Sequence, residues 1–162
     1  MKDSPRVSQK GAGLIELLIA VAIVATSFFS IAQISIMALT AVQDRTDKAK
    51  ALEFAQEGIE AVRSMRDGSF TDNISVLTFG STYYAVISGG KWTLSASNPG
   101  VLSGKFTRTV VVNNVSRDIN DNIVTAGGTN DPKTKKVVVT VSWGNPAKTV
   151  QLIAYMADIL KN

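Results

Sequence analysis

Leu17–Gln43 reads LLIAVAIVATSFFSIAQISIMALTAVQ, 27 consecutive residues without a charge. A hydrocarbon core of about 30 Å needs roughly 20 apolar residues in a helix, so this run is long enough to cross a bilayer. The alternative is a buried core helix, but a chain of 162 residues has too little core to enclose a helix that is apolar all round. The flanks differ in charge. Residues 1–11, MKDSPRVSQKG, carry Lys2, Arg6 and Lys10 against Asp3, whereas residues 44–67 carry five basic and six acidic side chains. The more positive side stays in the cytoplasm, which predicts that everything after the span lies outside it.

The rest of the composition narrows the function classes. With 45% hydrophobic and 19% charged residues and a formal charge of +4, the chain is neither disordered nor basic enough to imply nucleic acid. It has no His and no Cys, which excludes a Cys/His zinc site, a thiol nucleophile, a His-based triad and a disulfide scaffold. No Ser-Lys pair at short spacing and no carboxylate pair in a recognisable loop remains, so neither an enzyme nor a cofactor is expected. The apolar run is longer than that of a secretory signal, and AVQDRTDKAKALEF beyond it lacks a small-residue cut site. The small cluster Gly11-Ala12-Gly13 lies before the run instead. Processing is therefore expected to remove the basic leader and keep the span.

Glu16 stands one turn into this apolar helix, within GAGLIELLIAVAIV. A carboxylate at membrane depth is costly and needs either the headgroup region or a cationic partner. A free α-amino group made by a cut close upstream suits, since its reference pKa is about 7.7–8.0. Pairing the two charges between neighbouring molecules would cancel two desolvation costs and fix one axial stagger.

The segment Lys10-Gly11-Ala12-Gly13-Leu14-Ile15-Glu16-Leu17-Leu18-Ile19 resembles the class III signal of type IV pilins and type II secretion pseudopilins. The resemblance covers roughly residues 6–67. It implies cleavage between Gly11 and Ala12 by a prepilin peptidase, N-methylation of Ala12, and a Glu at the fifth mature position, which is where Glu16 falls. Ala12 stands where the family usually has Phe, and Gln33 where many major pilins have Pro. The motif Glu57-Gly58-Ile59-Glu60-Ala61-Val62-Arg63 and the segment Val137–Trp143 are most similar to minor, I-type pseudopilins.

Beyond the span, residues 44–67 contain no Pro and are rich in good helix formers, with Leu52, Ala55, Ile59 and Val62 forming one apolar stripe and Gly68 as the stop. From residue 69 the texture changes to period-two alternation. Phe106, Arg108, Val110 and Val112 lie on one side of a strand; Val137, Val139, Val141 and Trp143 on one side of another; Val150, Leu152, Ala154 and Met156 on one side of a third. Thr82–Ile87 and Lys91–Leu94 form a hairpin through Ser88-Gly89-Gly90, and Gly144-Asn145-Pro146 turns between the last two strands. Ser95–Gly104 and Arg117–Lys136 are expected to be long loops. The predicted fold is α+β: a long N-terminal helix packed on a C-terminal antiparallel sheet, the arrangement of the pilin fold. Its segments are a leader 1–11, an assembly helix 12–43, an amphipathic continuation 44–68 and an extracytoplasmic sheet domain 69–162.

The expected function is structural, a subunit of a type IV pilus or type II secretion filament. Partners are other pilin subunits, the prepilin peptidase, an inner-membrane assembly platform and the membrane. Small residues Ala20, Ala22, Ala25 and Ser27 would permit close helix approach. Two alternatives stand beside it: an uncut signal-anchored binding domain, and a DNA-uptake subunit using Lys105, Arg108, Lys133, Lys135 and Lys136. Against DNA, Phe106 is the one aromatic ring among those basic residues, and a solvated loop is the simpler account. Asp118-Ile119-Asn120-Asp121-Asn122 offers oxygen ligands for calcium without EF-hand spacing, so an Asx-rich turn is preferred and no metal is expected. Asn73-Ile74-Ser75 and Asn114-Val115-Ser116 match the glycosylation sequon.

Overall fold

The structure, a computed structural model, describes residues 12–159. The leader 1–11, including Gly11, lies outside the described residues. Helix α1 runs from Ala12 to Gly68, and the chain divides into two compact units at Thr46/Asp47. In the first unit the helix is solitary, and every residue from Gly13 to Thr46 is exposed. Its apolar segment is long enough to cross a membrane.

The second unit holds the end of α1, a short π-helical turn (Thr71–Ser75) and six strands: β1 (Thr82–Ser88), β2 (Lys91–Ser95), β3 (Thr107–Arg117), β4 (Ile123–Val124), β5 (Thr129–Trp143) and β6 (Lys148–Ala157). They form one antiparallel sheet in the order β2-β1-β3-β5-β6, with β4 paired to the end of β3. The fold is α+β, a long N-terminal helix whose last turns pack on this sheet. Gly89 and Gly90 close the β1–β2 hairpin at φ of 58° and 76°, which their missing Cβ atoms permit.

The alternation seen in the sequence decides which face is buried. Phe106, Val110 and Val112 from β3 and its approach, and Val137, Val139, Val141 and Trp143 from β5, face α1 and form the core with Ala51, Ala55, Ile59, Val62 and Met65. Ala55, Ile59 and Val62 of the expected stripe are buried, and its first member differs. Leu52 is 40% exposed, and Ala51 takes its place, fully buried. The reason is closeness of approach. Ala51, Ala55 and Gly58 leave room for the sheet to come up to the helix backbone, and a Cβ built on Gly58 would stand 2.8 Å from Val139 Cγ1. A Leu in that seam would hold the two layers apart.

The segment Arg117–Lys136 is not the long loop expected. β3 continues to Arg117, Ile123 and Val124 add a short strand, and β5 begins at Thr129. Pro132 disguises this strand because proline cannot donate to a ladder. It is accommodated at an irregularity, where pairing shifts from Asn114↔Lys135 to Val115↔Asp131 and leaves residues 132–134 without a β3 partner.

Candidate functional site

The helix of the first unit bonds the hydroxyls of its apolar run to its own carbonyls. Thr26, Ser27, Ser30, Ser35 and Thr40 are all the hydroxyls between Leu17 and Gln43, and each donates to the carbonyl four residues earlier at 2.7–3.0 Å. A helix bonded in this way needs no water for its backbone or hydroxyls. Glu16 is the exception that matters. It is exposed near the start of the helix. The cation closest to it among the described residues of this unit is Arg45, about 43 Å along the axis at 1.5 Å per residue. Among the described residues of this unit no cationic side chain is in reach of Glu16, so within an apolar medium its partner is not a side chain of residues 12–46.

The four small residues do not share one face. At 3.6 residues per turn Ala20 and Ser27 fall on the Glu16 side of the helix, while Ala22 and Ala25 fall on another. Ala20 and Ala25 flank a shallow apolar depression together with Val21 and Val24. The helix therefore offers small residues towards more than one neighbour. Ala12 is the first helical residue, and the expected cut before it adjoins residues outside the description.

The basic residues considered for a nucleic-acid surface do not all lie at the surface. Arg108 emerges on the buried side of β3 and is 4% exposed at its side chain, donating to Glu57 Oε2 at 2.9 Å, Phe54 O at 3.1 Å and Ala85 O at 3.3 Å. Lys105 donates to the nearly buried Asp47 carboxylate at 2.6 Å. Lys135 is buried on β5, with Nζ 2.9 Å from Asn114 Oδ1 and 4.3 Å from the centre of the Phe79 ring. Burial lowers its pKa, with Asp131 pulling weakly the other way. The solvated-loop account fails for Arg108 and Lys135, which are interior, while Lys105 and Lys133 are exposed. The alternation Phe106, Arg108, Val110, Val112 was the signal, because an Arg on the apolar side of a strand must find a partner in the core.

The acidic loop is occupied by its own chain. Asp118 Oδ1 accepts from the backbone N–H groups of Asn120 and Asn122 at 2.9 Å, and Oδ2 from Asn122 Nδ2 at 3.2 Å. These bonds, those from Asn122 first, lower the Asp118 pKa. The neighbouring Asp131 is pushed down to about 2 by the Thr134 hydroxyl and then by Arg117, whose Nε donates to Asp131 Oδ2 at 2.7 Å. Arg117 also reaches the Asp121 carbonyl and Thr134, so a guanidinium already stands between the acidic side chains. The arrangement is an Asx turn pinned to the β5 irregularity, with the Asp118 and Asp131 carboxylates engaged. Of the sequon residues, Asn73 caps α1 by donating to Met65 O at 2.8 Å. Asn114 accepts from Lys135.

Compared with models of protein families, with curated proteins and with solved structures, the chain matches none.

Proposed function

We propose that the chain is a structural subunit, of the minor pilin or pseudopilin kind, of a type IV pilus or type II secretion filament. In this reading it is inserted in the cytoplasmic membrane with its leader inside, cut between Gly11 and Ala12, N-methylated at Ala12, and then moved from the bilayer into a bundle of like helices. The carrying observation is Glu16, a carboxylate with no cationic side chain in reach among the described residues of a helix whose hydroxyls have all found partners. The freed amine of Ala12 on a neighbouring subunit is the complementary group. Exchange of lipid contacts for helix contacts is apolar for apolar, so the close packing that Ala20, Ala22, Ala25 and Ser27 permit supplies the attraction. The Glu16–amine pair selects the stagger, because a charge displaced by one turn, about 5.4 Å, would stay unpaired in a dry bundle.

The test combines the mature terminus with one substitution. Mass spectrometry of the membrane-derived protein is expected to show a chain starting at methylated Ala12. Glu16→Gln protein is expected to be inserted and cut but not assembled. A mature protein that keeps Met1, or filaments formed normally by the Glu16→Gln variant, would overturn the reading.

A further inference from the structure

Three side chains form a row across the outer face of the sheet. Asn113 of β3 pairs with Lys136 of β5, and Lys136 with Tyr155 of β6. Their neighbours Val112, Val137 and Met156 belong to the core, so alternation puts all three on the side away from α1. The row lines a cavity of about 250 Å³, together with the buried Val115 and the end of β4 with Thr125. No acidic residue lines it. Lys136 is half-buried there, and among the described residues it has no hydrogen bond or ion pair. Every other buried or half-buried cation among those residues has a partner: Arg66 meets Asp67, Arg108 meets Glu57, Arg117 meets Asp131 and Lys135 meets Asn114. The Asn113 amide and the Tyr155 and Thr125 hydroxyls are equally uncommitted among the described residues. A partly desolvated ammonium gains from a counter-charge, and nothing that lines this cavity supplies one.

The surroundings narrow the class of ligand. A phosphate is best held by a guanidinium fork or a nest of backbone N–H groups, whereas one lysine offers a single point charge. The other groups are neutral donors and acceptors beside an aromatic ring, which match the hydroxyls and the C–H face of a sugar. The cavity is smaller than the about 300–1,000 Å³ of sites for drug-sized ligands, so it takes one ring. Beyond it the same face stays polar and uncharged. From this row to that of Thr107, Ser142 and Thr149, about 20 Å along the strands, the outward residues are Thr, Ser, Gln, Val and Ile. We propose that the cavity binds an acidic sugar of a glycan. Its carboxylate pairs with Lys136, its hydroxyls bond to Asn113 and Thr125, and its ring lies against Tyr155. Neutral sugars that follow lie along the threonine-bearing face. The site uses the sheet unit alone and does not depend on the filament reading.

The test is a ligand-observed NMR titration of the full chain in a polyoxyethylene detergent, which carries neither sugar nor charge. Methyl β-glucuronide is expected to bind about tenfold tighter than the neutral methyl β-glucoside. Acetate and inorganic phosphate, which bring charge without the ring, should bind at least about tenfold more weakly than the glucuronide. Lys136→Gln should bring the glucuronide down to the level of the glucoside, and Lys136→Arg should restore most of the difference. Tyr155→Ala should weaken both sugars and leave acetate unchanged. Lys133→Gln, at an exposed lysine outside the cavity, should alter none of these affinities. Circular dichroism checks the fold of each variant, and the order of the four probes on the unaltered chain tests the site even where a variant misfolds. A glucuronide that binds no tighter than the glucoside, undiminished glucuronide binding by the Lys136→Gln protein, or acetate or phosphate binding as well as the glucuronide would overturn the proposal.

Discussion

Gly58 sits where α1 lies against β3 and β5, and replacing it with Ala sets two effects of known size against each other. In an exposed helix the change would stabilise by about 1 kcal/mol, because Gly gives up more backbone freedom than Ala on folding. Here the new Cβ would stand 2.8 Å from Val139 Cγ1, 3.5 Å from Val139 Cγ2 and 3.0 Å from Arg108 Cδ. Ordinary carbon contacts are about 3.5–4.0 Å, so the overlap with Val139 approaches 1 Å. Neither neighbour yields easily. Val139 is fully buried with both methyls near the new atom, and Arg108 is held by Glu57 and the Phe54 carbonyl. Overpacking of this kind costs about 1–3 kcal/mol and outweighs the propensity gain. The expected net loss is about 1 kcal/mol for Gly58→Ala and about 3 kcal/mol for the β-branched Gly58→Val. The assay is urea unfolding of the full chain in mild detergent followed by tryptophan fluorescence, since both tryptophans, Trp92 and Trp143, lie in the sheet unit. A cycle with Val139→Ala supplies the internal check: the double variant should be more stable than the sum of the single losses predicts. A stabilised Gly58→Ala protein, or strict additivity with Val139→Ala, would show that the helix does not approach the sheet this closely.

Arg108→Ala should cost about 3 kcal/mol in the same assay, because it empties a core position and leaves the Phe54 and Ala85 carbonyls without their donor. Arg108→Met should recover part of that loss by filling the space, and Glu57→Gln should cost under about 1 kcal/mol since Glu57 is exposed. Asp131 gives a pH dependence of definite sign. Its folded pKa, about 2, lies below the ordinary carboxylate value, so the stability it contributes is complete above about pH 4 and is lost as pH falls from about 4 through 2. Asp131→Asn should flatten that part of an acid-unfolding profile, and an unchanged profile would refute the role given to Thr134 and Arg117.

Much of this molecule was legible in the chain because hydrophobic burial leaves a periodic trace. An unbroken apolar run without a charge has one economical setting as a helix, and alternation in Phe106–Val112, Val137–Trp143 and Val150–Met156 names the buried side of each strand before any pairing is known. The odd carboxylate at Glu16 was equally visible, since its neighbours make it costly wherever the helix goes. What local sequence could not settle was anything fixed by the distance between layers. Leu52 scores better than Ala51 as a core residue by hydrophobicity alone, yet the seam takes Ala51, Ala55 and Gly58, because the depth of the groove is set by β3 and β5. Pro132 looked like the middle of a loop until Val115↔Asp131 pairing placed it at an irregularity that needs no N–H there. Arg108 and Lys135 counted as surface charge when read one residue at a time. Only the fold, by bringing Glu57 and the Phe54 carbonyl to one and Asn114 and Phe79 to the other, supplied the contacts that let a cation stay buried.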